Sequence, residues 1–310
     1  MELIRGLNNV HNHSVIQQGA VATIGGFDGV HRGHQALLAA LKEKANELKL
    51  PSMVISFEPS PREYFLKEKA PGRLQRFRDK FSSLATSNVD IFTCLRFDAS
   101  LQSMSAAHFV ERVLSDALHI RWLLVGHDFR FGRGREGDIG HLQAMGKVHQ
   151  FEVAEFSAYK VDEQRVSSTL VRESLLAGQL DRAENFLGRP YSITGRVVHG
   201  NQLGRTLGFP TANIRMKKLV ALRGIFAVRV TGAGLQNAAA VASVGTRPVV
   251  NGEEPLLEVS VFNFNGDLYN QQLTVHFVAR LRDECWFPSL EALKEQMLID
   301  AQQARKILNA

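Results

Sequence analysis

Apolar and polar positions change rhythm near residue 190. Before that point, short unbroken apolar runs alternate with longer stretches of three-to-four spacing. "AVATIG" (20–25), "SMVISF" (52–57), "WLLVG" (122–126) and "FEVAEF" (151–156) read as strands buried on both faces. Between the first two, Leu37, Leu41, Ala45 and Leu48 fall close to helical spacing, and Phe109, Val113 and Ala117 predict a helix over 105–118. Strands alternating with helices predict a parallel α/β sheet with right-handed crossovers.

After "RPYSITG" (189–195) the runs become short, alternating and broken by Gly and Asn: "TGRVVHG", "GIFAVRVTG", "NAAAVASVG", "PLLEVSVFNF" and "QQLTVHFVARL". That is an antiparallel pattern, a sandwich or a small barrel. Leu290, Leu293, Met297, Ala301, Ala304 and Leu308 then predict a closing helix, with Ser289 as its N-cap. A boundary near 186–190 is expected, giving domains 1–186 and 187–310.

Composition narrows the class. A chain of 310 residues with 45% hydrophobic and 22% charged content can bury a core in each half. No apolar stretch reaches the roughly 18 residues of a membrane span, and the N-terminus lacks the pattern of a secretory signal. Cys94 and Cys285 are the only cysteines, so neither a disulfide framework nor a metal spacing is present and a cytoplasmic setting is expected. Lys and Arg number 37 against 31 acidic residues, which favours anionic partners. No basic block interleaved with aromatics occurs, so phosphorylated small molecules are expected rather than nucleic acid.

The densest chemistry lies where the first predicted strand turns into a helix, in "VATIGGFDGVHRGH" (21–34). A helix N-terminus after a parallel strand is where ligands of this architecture bind, with unpaired amides suited to phosphate. Glycines at 25, 26, 29 and 33 let phosphate approach the backbone. His31 and His34, three apart, project from one face of the first helical turn and can donate hydrogen bonds to phosphate oxygens in a transition state. Further on, Ser167, Ser168 and Thr169 offer hydroxyls and Arg172 a fixed fork of N–H groups. Taken alone, Ser-Ser-Thr is also simply a good N-cap.

"GGFDGVHRGH" resembles the His-x-Gly-His nucleotidyltransferase motif as it occurs in the bacterial riboflavin kinase/FAD synthetase family. "FEPSPREYF" (57–65), "LLVGHDFRFGRGREGD" (123–138) and "VSSTLVRESL" (166–175) resemble further blocks of that family, in its order. The resemblance implies a Rossmann-like adenylyltransferase domain in which the phosphate of FMN attacks the α-phosphorus of ATP, forming FAD and releasing pyrophosphate. His31 and His34 would be catalytic. Gly25, Phe27, Asp28, Gly33, Asp128, Ser167, Ser168, Thr169 and Arg172 would bind the nucleotide.

In the second half, "GRVVHGNQLGRTLGFPTANI" (195–214) places Gly200 and Gly204 in a loop suited to a phosphate chain, with His199 and Arg205 near. Pro210 keeps Phe209 extended, and Thr211 and Asn213 face the same side of the following strand. Their hydroxyl and amide oxygens are hard donors suited to Mg²⁺ carried by ATP. "GRTLGFPTAN" resembles the riboflavin kinase motif, which implies a six-stranded antiparallel barrel with a terminal helix. Glu258, by that resemblance, would take the proton from the 5′-hydroxyl of riboflavin, and Arg282 in "RLRDECWF" is a candidate contact to flavin or phosphate.

Some positions depart from the family pattern. Gly26 stands where Asn is common, Ser243 and Val249 replace a frequent Asn and Thr, and Asn270 replaces a Gly. Two other readings stay open at this point: that only one of the two activities is live, or that the chain is a flavin- or nucleic-acid-binding regulator. Self-assembly is likewise open.

Overall fold

Residues 1–199, 209–216, 220–249 and 252–310 are described by the computed structural model, with only the backbone of residues 11, 12, 247–249 and 252–254. They form two compact units, Met1–Ala70 with Lys80–Val166, and Pro71–Asp79 with Ser167–Ala310.

The first unit is built on six parallel strands: β1 (Glu2–Arg5), β2 (Ala20–Ile24), β3 (Ser52–Glu58), β4 (Ile91–Arg96), β5 (Ile120–Gly126) and β6 (Glu152–Phe156). Their order is β1-β4-β3-β2-β5-β6. All five residues of β2 are buried, which is why its sequence is an unbroken apolar run. β1 and β4 were not among the strands predicted from the sequence. The order runs outward from β2 through β3 and β4, then restarts on its other side with β5. A crevice therefore opens at the carboxyl ends of β2 and β5.

Helix α1 (Arg32–Leu48) buries Leu38, Leu41 and Ala45. The stripe expected from Leu37 and Leu48 is corrected: Leu37 is half-buried and Leu48 is 39% exposed, because both turn to the flank of the Leu38–Leu41–Ala45 face. Short helices α2 (Pro61–Leu66), α3 (Phe77–Thr86) and α4 (Ala99–Ser103) follow. The helix expected over 105–118 begins as α5 (Ala106–His108) and continues in wider π-type turns over Phe109–Ala117, burying Phe109, Val110, Val113 and Leu114. Helix α6 (Ile139–His149) precedes β6, and a two-residue hairpin, β7 (Lys160–Val161) with β8 (Gln164–Arg165), ends the unit.

The second unit contains helices α7 (Ser168–Leu176) and α8 (Leu180–Leu187) and a closed antiparallel barrel. Its strands are β9 (Ser192–Val198), β10 (Ala212–Arg215), β11 (Gly224–Gly232), β12 (Leu235–Val249), β13 (Gly252–Val261) and β14 (Gln272–Arg282), in the order β10-β13-β12-β11-β14-β9. Ile214, Leu257 and Val244 share one register row and are buried, as expected of a filled small barrel. The neighbouring row, Asn213, Glu258 and Ser243, points to the other face.

Helix α9 (Leu290–Leu308) covers part of the outer barrel face, packing Ala304 and Leu308 against Ala227, with Ala239, Val241 and Ala279 alongside. Ser289 caps it, accepting from the Ala292 amide at 3.2 Å. Leu290, expected in its apolar stripe, is instead 53% exposed, one residue past the cap and short of the packed face. Among the described residues, no helix is long and apolar enough to cross a membrane.

Candidate active sites

The backbone between β2 and α1 is forced into a tight path. Phe27 (φ 45°) and Val30 (φ 39°) both hold left-handed conformations that cost a non-glycine residue free energy, and both are buried. His31 then ends the turn as the N-cap of α1, its Nδ1 accepting from the His34 amide at 3.2 Å. That bond places the His31 proton on Nε2, facing away from the helix.

The two imidazoles stack with centroids 3.7 Å apart and planes 13° from parallel, and the Phe27 ring lies 4.9 Å from His34. Gly33 lacks a side chain for a physical reason: a Cβ there would sit 3.2 Å from His31 Nδ1. Gly25 is similarly hemmed, a Cβ meeting the Phe27 ring at 3.0 Å, whereas Gly26 faces open space. Phe27 is thus a buried wall beneath His34. Burial holds the His34 imidazole well below the usual histidine range, and the charges of His31 and Lys80 push the same way. The ring is therefore neutral near pH 7.

Asp128 follows β5, across the crevice from the end of β2. Burial pushes its carboxyl up, but the hydrogen bond and charge of Arg165 outweigh this and leave it below the ordinary range. The Arg165–Asp128 contact is 2.8 Å, and both side chains are substantially exposed. Tyr64, Phe65 and Phe97 form an edge-to-face aromatic cluster beyond β3 and β4, with Phe65 57% exposed.

In the second unit, Ser167 caps α7 by accepting from the Leu170 amide at 3.2 Å, so the capping reading of Ser-Ser-Thr holds for that hydroxyl. Ser168 and Thr169 open the helix, and Arg172 Nε donates to the Gly72 carbonyl at 2.8 Å.

On the barrel, Asn213 is buried and its Nδ2 donates to the Thr211 carbonyl at 3.3 Å, which leaves its amide oxygen as the outward acceptor. Thr211 and Asn213 line a cavity of about 590 Å³ with Phe264, Asn265, Asp267 and Tyr269. The His199 and Tyr269 rings stack 3.8 Å apart. Glu258 pairs in register with Asn213 on one side and Ser243 on the other, and lies on their face rather than in the cavity wall. Arg282 is anchored: its Nε and Nη2 reach both oxygens of the buried Asp300, at 2.9 and 2.7 Å, and its Nη1 donates to the Asp283 carbonyl. Gly200, Gly204 and Arg205 lie outside the described residues, as does the side chain of Val249. Asn270 has φ 61°, which explains why Gly is usual there and why Asn is tolerated.

Two residues at the first site escaped the sequence reading. Lys80 is buried on α3 and its Nζ donates to the Gly26 carbonyl at 2.7 Å. Arg165 stands just before the Ser-Ser-Thr string, where only its partner Asp128 had been singled out. Neither sits in a motif of its own; Arg165 lies two residues before the Ser-Ser-Thr string, and nothing local marks Lys80, which is 54 positions from Gly26.

Residues 13–170 match the FAD synthetase family and residues 187–308 the riboflavin kinase family. The chain is 45% identical to a bifunctional riboflavin kinase/FMN adenylyltransferase of Haemophilus influenzae, over the whole of both chains. It is 48% identical to the Pseudomonas fluorescens protein of that description (99% of this chain, 98% of the relative) and 44% identical to that of Escherichia coli K12 (99% and 97%). A crystal structure described as a macrolide-efflux protein from Streptococcus pneumoniae aligns over 98% of this chain and 99% of its own, with a TM-score of 0.79 at 27% identity. With both halves matched and relatives aligned from end to end, the chain belongs to the bifunctional riboflavin kinase/FMN adenylyltransferase family.

Proposed function

We propose that the two activities divide along the chain, with residues 1–186 adenylylating FMN and residues 187–310 phosphorylating riboflavin. The protein as a whole is a riboflavin kinase and FMN adenylyltransferase, taking riboflavin and FMN with ATP and yielding FAD.

The observation that carries the adenylylation site is the stacked His31–His34 pair at the carboxyl end of β2. An FMN phosphate oxygen bonds to the α-phosphorus of ATP, the bond to the β-phosphate bridge breaks, and pyrophosphate leaves. The Nε2–H of His31 and the neutral His34 ring donate to oxygens that gain charge, and displacement needs no protein nucleophile. The α1 amides around Gly33 add positive potential. Asp128 fits a polar contact to the nucleotide, and the hydroxyls of Ser168 and Thr169 and the guanidinium of Arg172 are donors of the kind that phosphate takes. The exposed face of Phe65 suits a flat apolar ring system such as the flavin.

For the kinase, the 5′-hydroxyl oxygen of riboflavin bonds to the γ-phosphorus, its proton passes to Glu258, and ADP leaves. ATP-using enzymes of this family generally need a divalent metal, and Mg²⁺ fits what Thr211 and Asn213 offer: neutral, hard oxygens. Among the described residues no group of three or more His, Cys, Asp or Glu could cage a metal, so the phosphates would carry most of its coordination. The ion would neutralise phosphate charge. A cytoplasmic setting accords with two free cysteines, Cys94 and Cys285.

Incubating the full chain with riboflavin, ATP and Mg²⁺ and separating the flavins tests the reading. FMN followed by FAD is expected. FMN alone would silence the first site, and neither product would leave a binding protein.

A further inference from the structure

Lysine is among the residues least often buried, because its ammonium loses hydration, yet Lys80 is only 7% exposed. Its stem enters from α3 and its Nζ ends 2.7 Å from the carbonyl oxygen of Gly26, to which Ser56 Oγ also donates at 3.4 Å. Gly26 is the second residue after β2, directly before the left-handed Phe27 whose ring supports His34. Two donors from separate elements thus hold one carbonyl at the start of the His-x-Gly-His turn.

We infer that Lys80 is a positioning residue for adenylyl transfer: its ammonium pins the Gly26 carbonyl and supplies a fixed positive field facing the His31–His34 pair. This rests on that pair being the adenylylation site. The titratable groups acting on His34 are His31 from its own turn and Lys80 from α3. His34 Nδ1 is buried and has no hydrogen-bond partner among the described residues, so no carboxylate draws a proton onto that nitrogen. A buried ammonium nearby makes a second positive charge costly, and His34 stays a neutral donor as a phosphate-rich substrate arrives. The same ammonium adds attraction for the incoming anion without contacting it.

Lys80→Gln keeps a donor on a side chain one atom shorter and removes the charge; Lys80→Met matches the stem, suits a buried position and gives a second charge-free reading; Lys80→Arg restores the charge. FAD formation from supplied FMN is followed across pH 5.5–8.5 in the full chain, with riboflavin phosphorylation in the same sample as reference. Removing the positive neighbour raises the His34 pKa toward, but not past, the ordinary value, because burial still holds it down, so in Lys80→Gln and Lys80→Met the acid limb of FAD formation shifts to higher pH while the wild-type and Lys80→Arg limbs coincide. Turnover falls in the charge-free variants and KM for ATP changes less. Acid limbs that coincide with wild type in a folded charge-free variant, or equal loss in Lys80→Arg and Lys80→Gln, overturn the inference. His34→Ala separates the two layers: an inactive His34→Ala beside an unmoved Lys80→Gln limb sinks the role of Lys80 alone, and an active one sinks the site and this inference with it.

Discussion

Gly33 and His31 are fitted to each other: a methyl on Gly33 would press on the imidazole Nδ1 from 3.2 Å. That nitrogen is already engaged by the His34 amide, so the ring has little room to yield without losing its cap bond. Gly33→Ala should therefore separate stability from chemistry. Alanine is favoured over glycine inside a helix by up to about 1 kcal/mol and a lost N-cap costs about as much, so the two offset and thermal unfolding should move little. FAD formation should fall about ten- to a hundredfold as the ring is displaced. Unfolding and turnover measured on one preparation check both halves.

On the proposed assignment, His31 serves one reaction and Glu258 the other. Glu258→Gln should stop FMN formation from riboflavin yet still convert supplied FMN to FAD. His31→Ala should do the reverse, making FMN from riboflavin and stalling there. Flavin chromatography after incubation with ATP reads both, and a variant that loses both reactions would break the two-site assignment.

His34 makes stability depend on pH. Its folded pKa lies below the ordinary value of about 6.5, so the unfolded chain takes up a proton first as the solution is acidified. The contribution is complete above about pH 6.5 and fades as pH falls toward the folded value. Denaturant unfolding at pH 7.5 and 5.5 should show a smaller loss in His34→Asn than in wild type.

Arg282 is held by Asp300, whose side chain is 4% exposed against 21% for the arginine. Removing one partner of such a pair typically costs about 3–5 kcal/mol, so Asp300→Asn and Arg282→Met should both lower the unfolding temperature clearly. A flavin-contact role for Arg282 adds a signature that Asp300→Asn does not share: a rise in riboflavin KM in Arg282→Met beyond the shared loss of stability.

Gly26 stands where the family commonly has Asn, and nothing lies within 4 Å of where its Cβ would be. Gly26→Asn should fold normally and lower KM for ATP in FAD formation. Isothermal titration with a non-hydrolysable ATP analogue is the check.

Much of this was readable from residue order. β2, β3, β5 and β6 stood out because strands covered on both faces are continuous apolar runs, and the barrel strands because they alternate. β1 was missed because four residues carry no period and the strand pairs in the sheet with β4 alone. Composition shifts at 186–190, whereas the compact units divide at Val166/Ser167, since α8 buries Leu180, Ala183, Phe186 and Leu187 within the barrel unit. Motif spacing singled out His31, His34, Thr211 and Asn213 as candidates. It could not supply Lys80, which reaches Gly26 across 54 positions of sequence, nor the Arg282–Asp300 pair, where a candidate ligand contact proved to have a partner 18 positions on. Long-range pairing leaves no local trace.

Because the imidazole that closes the first turn of α1 is, in the proposed site, also the one offered to substrate, the order of that turn and catalytic competence are tied together. Fraying by a single turn would silence FAD synthesis while the sheet beneath stayed intact, so on warming the enzyme should go quiet before it melts.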